Sequence, residues 1–198
     1  DPAFFKERQN QPQRAGDTLF AMEHAGYFTL TTDHLMRRDG RVVLFTQLVD
    51  IVAFWDPAIG QGDNPDWSAC PILGKDQSGY LYVLDAYISQ GASPTAQVNG
   101  VVDILWRWRV RRFGWEANQF QSLQGSNIET ALAQRALEED EPYKPIFVPI
   151  TNTRNKMLRI STLEPLVTNR HVWFNEALPS EFLRQMTIFR PVDGADKD

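Results

Sequence analysis

One cysteine, three histidines and no long apolar run set the first limits on this 198-residue chain. A lone Cys70 allows no intramolecular disulfide and favours a reducing compartment. Its neighbours Ala69, Pro71, Ile72 and Leu73 suit a small buried side chain better than a nucleophile. His24, His34 and His171 show no ligand spacing, so a zinc site or a Ser-His-Asp triad has little support. Crossing a bilayer takes about 20 consecutive apolar residues, and no run approaches that. The first residues, Asp1-Pro2-Ala3-Phe4-Phe5-Lys6, have neither the basic start nor the apolar centre of a secretion signal. They also lack an initiating Met, as expected for a piece of a longer protein. Basic charge is not in excess: 20 Lys and Arg against 25 Asp and Glu give a formal charge of −5. A uniformly basic nucleic-acid binder is thereby excluded, whereas one with a local basic rim is not, because steering depends on local potential. No G-x-x-x-x-G-K-[ST] motif occurs, since Gly74-Lys75 runs into Asp76 within a plain turn.

What is present is enough apolar material for one full core: 42% hydrophobic and 12% aromatic residues. Residues 1–48 differ in texture from the rest. Residues 5–14 are polar and Gln-rich, residues 27–31 and 42–45 suit short strands, and Arg38-Asp39-Gly40 suits a turn. This stretch reads as a connector or docking extension, and residues 49–198 as the main domain.

From Asp50 onward the periodicity is orderly. Residues 51–55, 68–74 and 80–88 predict three strands joined as an antiparallel meander, with turn residues at 75–79. A helix follows, capped by Ser93 with Pro94 in its first position and an apolar stripe of Val98, Val101, Val102, Leu105 and Val110. A short strand at 113–115, a helix near 127–139 carrying Ile128, Leu132 and Leu137, and a strand at 146–148 come next. Helices at about 154–168 and 179–189, with a possible strand at 172–174, complete the pattern. A three-strand meander followed by αβ units predicts an α/β, RNase H-like mixed sheet flanked by helices.

Two strands run into acid, one at Asp56-Pro57-Ala58 and the other at Glu116-Ala117-Asn118. Loops leaving strand ends in such sheets form the crevice where sites assemble. Two carboxylates brought together there repel unless a cation or a shared proton holds them, and hard divalent ions prefer oxygen ligands. In an RNase H-like fold Asp56 falls on the first-strand position and Glu116 on the fourth-strand position. The third acid would come from Asp193, Asp196 or Asp198. Three carboxylates holding two Mg²⁺ or Mn²⁺ ions suit phosphodiester hydrolysis, with one ion activating water and the other stabilising the leaving 3′-oxygen. Asp66 is a further candidate, reaching the ions through a water. The structural alternatives are an Asx turn before Pro57 for Asp56 and a plain surface acid for Glu116.

The basic segment Trp106-Arg107-Trp108-Arg109-Val110-Arg111-Arg112 reads more readily as a solvated helix end with buried indoles than as a DNA contact. Lys156 and Arg159, on one helix face with Arg154 a turn back, are better placed for phosphates.

Taken together, Asp56-Pro57-Ala58 with Asp66-Trp67-Ser68-Ala69, then Glu116-Ala117-Asn118 with Phe120-Gln121, resemble the first two metal motifs of a known family. That family is the C-terminal nuclease domain of the large terminase subunit of tailed bacteriophages. Lys156-Met157-Leu158-Arg159-Ile160, Leu163-Glu164-Pro165-Leu166 and His171-Val172-Trp173-Phe174 resemble the stretch before its third acid. Gln9-Asn10-Gln11-Pro12 is similar to the segment joining its ATPase to its nuclease. The order and spacing of these pieces carry the resemblance over nearly the whole chain.

The resemblance implies a divalent-metal-dependent endonuclease that cuts concatemeric viral double-stranded DNA when packaging starts and ends. It also implies an upstream ATPase domain in the same polypeptide, a small terminase subunit and a portal protein as partners, no membrane, and action in the host-cell cytoplasm. The family's last motif is usually a pair of aspartates opening a helix after an aromatic-Pro step. Here Phe189-Arg190-Pro191 is followed by three separated acids. Asp198 is read as the first of that pair, with the chain cut inside the motif, and Asp193 and Asp196 stay as alternatives. Competing readings are another RNase H-like enzyme, such as a junction resolvase or transposase core, and a docking module that has lost chemistry.

Overall fold

A computed structural model of the chain describes residues 18–58, 66–116, 122–151 and 156–190, the side chains of 122–124 and 156–157 excepted. Its centre is the expected meander. Strand β5 (Trp67–Asp76) alternates strictly, with Ser68, Cys70, Ile72 and Asp76 turned inward. That period of two fits a strand whose opposite face is more open. It pairs antiparallel with β4 (Leu48–Trp55) on one side and β6 (Leu81–Gln90) on the other. The β5–β6 turn is closed by Gly79, whose φ of +88° suits a residue without Cβ, and by the Asp76 carboxylate. That carboxylate accepts from the Tyr80 amide at 3.0 Å and the Tyr82 hydroxyl at 2.9 Å.

Helix α1 (Pro94–Trp108) starts where expected, with Ser93 Oγ accepting from the Ala96 amide at 3.3 Å. It crosses back to β7 (Arg112–Glu116), which lies parallel to β4. Helix α2 (Ser122–Glu138) then leads to β8 (Ile146–Ile150), parallel to β7. Ile128 and Leu132 of α2 are buried, but Leu137 is 84% exposed. At about 100° per residue, nine residues from Ile128 is half a turn round, so Leu137 faces away from the core.

The single helix expected over 154–168 is two, α3 (Lys156–Ser161) and α4 (Glu164–Thr168). Pro165 stands in the first turn of α4, where its missing N–H costs nothing. Further inside a continuous helix it would clash with the preceding turn. Strand β9 (Val172–Asn175) and helix α5 (Ser180–Ile188) follow.

The stretch expected to be a connector contributes three strands of the same sheet: β1 (Gly26–Leu30), β2 (His34–Arg37) and β3 (Val42–Leu44). The order is β3-β2-β1-β9-β6-β5-β4-β7-β8, with β1 joined through the parallel β1–β9 and β9–β6 pairs. Phe28, Leu35 and Val43 are fully or almost fully buried in the main core. Arg37, 7% exposed, stacks its guanidinium 3.6 Å from the Trp173 ring centre and 4.7 Å from that of Tyr80. The division drawn at residue 48 therefore falls inside one sheet.

One face of the sheet, carrying Trp55, Cys70, Ile72, Leu84 and Trp173, packs with Val101 and Leu105 of α1 and Leu132 of α2. The other, with Val83, Ala86 and Phe174, packs with Leu19, Phe20, Val167 and Leu178. The result is a mixed sheet between two layers of helix, the RNase H-like class expected.

Candidate active site

The parallel pairing of β4 with β7 builds the site. Val52, Ala53, Phe54 and Trp55 lie opposite Arg112, Phe113, Gly114 and Trp115 in turn, and the next residue on each strand is an acid. Strands sit about 4.8 Å apart, and in-register neighbours of a parallel pair share a face, so Asp56 and Glu116 stand side by side. Both are partly exposed. The residues just before them fix which way they point. Trp55 is fully buried, with its Nε1 donating to the buried Ser68 Oγ at 3.0 Å. Trp115 is buried in the same core and stacks on Phe113 with ring centres 6.0 Å apart. With both indoles turned inward, alternation sends both carboxylates to the opposite face.

Neighbouring elements hold this frame. The Asp56 amide donates to the Ala69 carbonyl at 2.9 Å, and the Ala69 amide returns the bond at 3.1 Å. Glu116 pairs with Ile150 of β8. Gly125 of α2 lies against the Trp115 indole so closely that a Cβ would fall 2.3 Å from Cε2. A residue without a side chain there lets α2 press on the tryptophan beside Glu116.

The structure thus brings together Asp56 and Glu116 from the expected set. Asp66 is exposed and lies three residues outward from Ala69, about 10 Å along the strand, at the rim of the site. Asp193, Asp196 and Asp198 lie outside the described residues, as does Arg154. Among the described residues no group of three or more His, Cys, Asp or Glu gathers to hold a metal. The chain reaches Phe189 close by. Its carbonyl accepts from the Leu19 amide at 3.0 Å, and it lines a cavity of about 240 Å³ with Trp67 and Ala69, the latter being the bridge partner of Asp56. The donor chemistry fits a hard divalent cation, because both described donors are carboxylates set next to each other.

The basic candidates divide. Lys156 opens α3, but its side chain is outside the described set. Arg159, on the same helix, is half-buried, and its Nε has no hydrogen-bond partner among the described residues. The arginines after α1 are engaged within the fold. Arg107 pairs with Asp85 at 3.0 Å, Arg109 with Glu141, and Arg112 with Asp50, while Arg111 donates to the Val49 carbonyl at 3.0 Å. Arg112 begins β7, four residues and about 13 Å from Glu116, so this cluster marks the far end of the sheet. Burial pushes the Cys70 thiol well up, in keeping with an inert side chain.

Sequence reasoning missed Gln97, which is buried on α1 and bonded to the carbonyl of Ala58, two residues past Asp56. A polar residue four and eight positions before Val101 and Leu105, on the buried stripe of the helix, was the available signal.

The family model for the terminase RNaseH-like domain matches residues 53–187, about two thirds of the chain and the part that holds both acids. The chain belongs to the terminase RNase H-like family. No curated protein sequence matches this terminase domain. Among solved structures, it is similar to the large terminase nuclease domain of Thermus phage P74-26. The identity is 15%, with 88% of this chain and 79% of that one covered and a TM-score of 0.49. The large terminase of a thermophilic bacteriophage is similar at 8% identity and a TM-score of 0.49. That match covers 85% of this chain and 36% of the phage protein, so the terminase domain spans about a third of its length. The human cytomegalovirus terminase nuclease domain, Mn soaked and inhibitor bound, is similar at 10% identity over 73% of this chain and 80% of that one, with a TM-score of 0.46.

Proposed function

We propose that the terminase domain is a divalent-metal-dependent DNA endonuclease that cuts concatemeric viral double-stranded DNA at the start and end of packaging. The observation that carries the reading is the in-register placement of Asp56 and Glu116 on adjacent parallel strands, directed to one face by buried tryptophans. A family of RNase H-like terminase domains supplies the context. Two Mg²⁺ or Mn²⁺ ions, when bound, would supply an activated water and charge neutralisation at the leaving 3′-oxygen. The part of the protein is to hold the carboxylates at fixed separation and to guide the phosphate backbone. Asp56 and Glu116 are the metal ligands in this reading. Asp198 is the third, with Asp193 and Asp196 as alternatives and Asp66 acting through water. Arg159, Lys156 and Arg154 contact phosphates, the first two being cationic residues of α3.

The wider setting belongs to the same proposal. An ATPase domain lies upstream in the same polypeptide, residues before β1 lead to it, a small terminase subunit and a portal protein are partners, and the work takes place in the host-cell cytoplasm.

The test is plasmid incubated with the protein and Mn²⁺ or Mg²⁺, with and without EDTA. Cutting should need the metal and fall at least about a hundredfold in Asp56→Ala and Glu116→Gln, since a metal supplies several kcal/mol of charge stabilisation. Single Asp→Asn changes at 193, 196 and 198 should identify the third ligand by the same loss. Alanine at Arg154, Lys156 or Arg159 should weaken DNA binding and lower its salt dependence by about one ion each. Intact plasmid under every condition, or undiminished cutting by Asp56→Ala, would overturn the reading. A strong preference for four-way junctions over linear duplex would move it to a resolvase.

A further inference from the structure

Gln97 occupies the first turn of α1 on the face that otherwise buries Val98, Val101 and Leu105, and it is 3% exposed. An amide in that position costs free energy unless it is hydrogen-bonded, and packing alone would be served as well by an apolar side chain. Its bonds join two distant parts of the chain. Nε2 donates to the Ala92 carbonyl at 3.0 Å, in the link between β6 and α1, and to the Ala58 carbonyl at 3.3 Å, in the segment leaving β4. Its Oε1 is buried with no hydrogen-bond partner among the described residues. What an apolar side chain could not supply here is the pair of Nε2 donor bonds, so the donor end carries the role.

That role concerns Asp56. Before it, β4 is fixed by the Trp55–Ser68 hydrogen bond, and at it by the reciprocal backbone bonds with Ala69. Two residues after it, the chain is held from the opposite side of the sheet by Gln97, on a helix rigidly packed against Trp55 and Cys70. A strand-end carboxylate keeps its direction only if the backbone on both sides is fixed, and metal ligands tolerate only tenths of an ångström of error. We propose that Gln97 is a positioning residue for Asp56, clamping the exit of β4 so that the carboxylate stays aligned beside Glu116 for a divalent cation. This inference rests on the reading of Asp56 as a metal ligand.

The test uses Mn²⁺ alone, titrated calorimetrically into the protein without DNA, beside the Mn²⁺ dependence of plasmid cutting. Gln97→Met conserves volume and cannot donate, while Gln97→Glu keeps length and polarity and presents a carboxylate that also cannot donate to Ala58. Outer-shell groups around metal sites typically change affinity by about 10–100-fold. Both variants should weaken Mn²⁺ binding by about tenfold and shift the half-maximal Mn²⁺ for cutting by the same factor. The KM for DNA should stay within twofold, and excess Mn²⁺ should restore the rate. Asp76→Asn, a buried change at the opposite end of β5, controls for general loosening and should leave Mn²⁺ affinity unchanged. Wild-type Mn²⁺ affinity in the folded Gln97 variants, or an equal shift in Asp76→Asn, overturns the role of Gln97 while the nuclease reading stands. A wild-type protein that neither binds Mn²⁺ nor cuts, or an Asp56→Ala protein that still does both, removes the nuclease reading and this inference with it.

Discussion

Trp55 and Trp115 show how far single residues decide this site, because each buries an indole and thereby aims the acid next to it. Asp56 and Glu116 were legible in the sequence for that reason: a short apolar run ending in acid is a strand whose last side chain has nowhere inward to go. Gln97 was not legible, since its partners are backbone carbonyls, which no residue letter records. Other buried groups set the alkaline limit of the fold. Burial pushes the Tyr82 phenol up to about 12, a rise to which the Asp76 carboxylate adds, and it raises Cys70 and Tyr143 as well. Below about pH 8.5, the ordinary thiol value, folded and unfolded chains alike keep these protons. Above it the unfolded chain releases protons that the folded chain retains, so stability is full at neutral pH and declines as pH rises. Thermal midpoints should be level from pH 7 to about 8.5 and fall beyond. In Cys70→Ala the onset should move toward about pH 10, where the tyrosines of the unfolded chain begin to titrate. An unchanged onset in that variant would contradict the assignment to Cys70.

At the scale of elements, glycines govern how closely helices approach the sheet. Gly100 of α1 meets the Tyr87 ring, where a Cβ would lie 2.2 Å from Cε2, and Gly125 of α2 meets Trp115 in the same way. Overpacking of this kind costs about 1–3 kcal/mol. Gly125→Ala should therefore lower the unfolding free energy by that amount, seen by tryptophan fluorescence as a lower denaturant midpoint with an unchanged slope. A wild-type midpoint would mean that α2 shifts freely. Strands β4, β5 and β6 were readable as apolar runs bounded by turn residues, and in β5 burial also alternates strictly. Strand β2 was not, because its four residues include the exposed Met36 and the charged Arg37, and only pairing on both sides makes it a strand. The single helix expected over 154–168 failed at Pro165, where a helical pattern in the letters ran through a residue that can only begin a new turn.

For the whole molecule, the sheet treats residues 26–44 as part of the domain, whatever precedes them. The sequence suggested otherwise because they follow a polar, Gln-rich stretch and offer only short strands, and their burial comes from contacts with β9 and β6 that lie far along the chain. A protein starting at residue 49 would lose Phe28, Leu35 and Val43 from the core and leave the edge of β9 open. It should aggregate or show a broad, non-cooperative melt by circular dichroism, and a cooperative melt at the wild-type midpoint would show that these strands are dispensable. The β1–β9 pair also has a consequence in time. Gly26 is opposite Trp173, so the first strand of the sheet has its long-range partner almost at the end of the described chain. Ribosomes add about 5–20 residues per second, so β1 waits roughly 7–30 s for that partner to be made. Throughout that interval the nascent hairpin lacks its neighbour on the β1 side, and the strand that finally occupies it is the last of the described sheet to be synthesised.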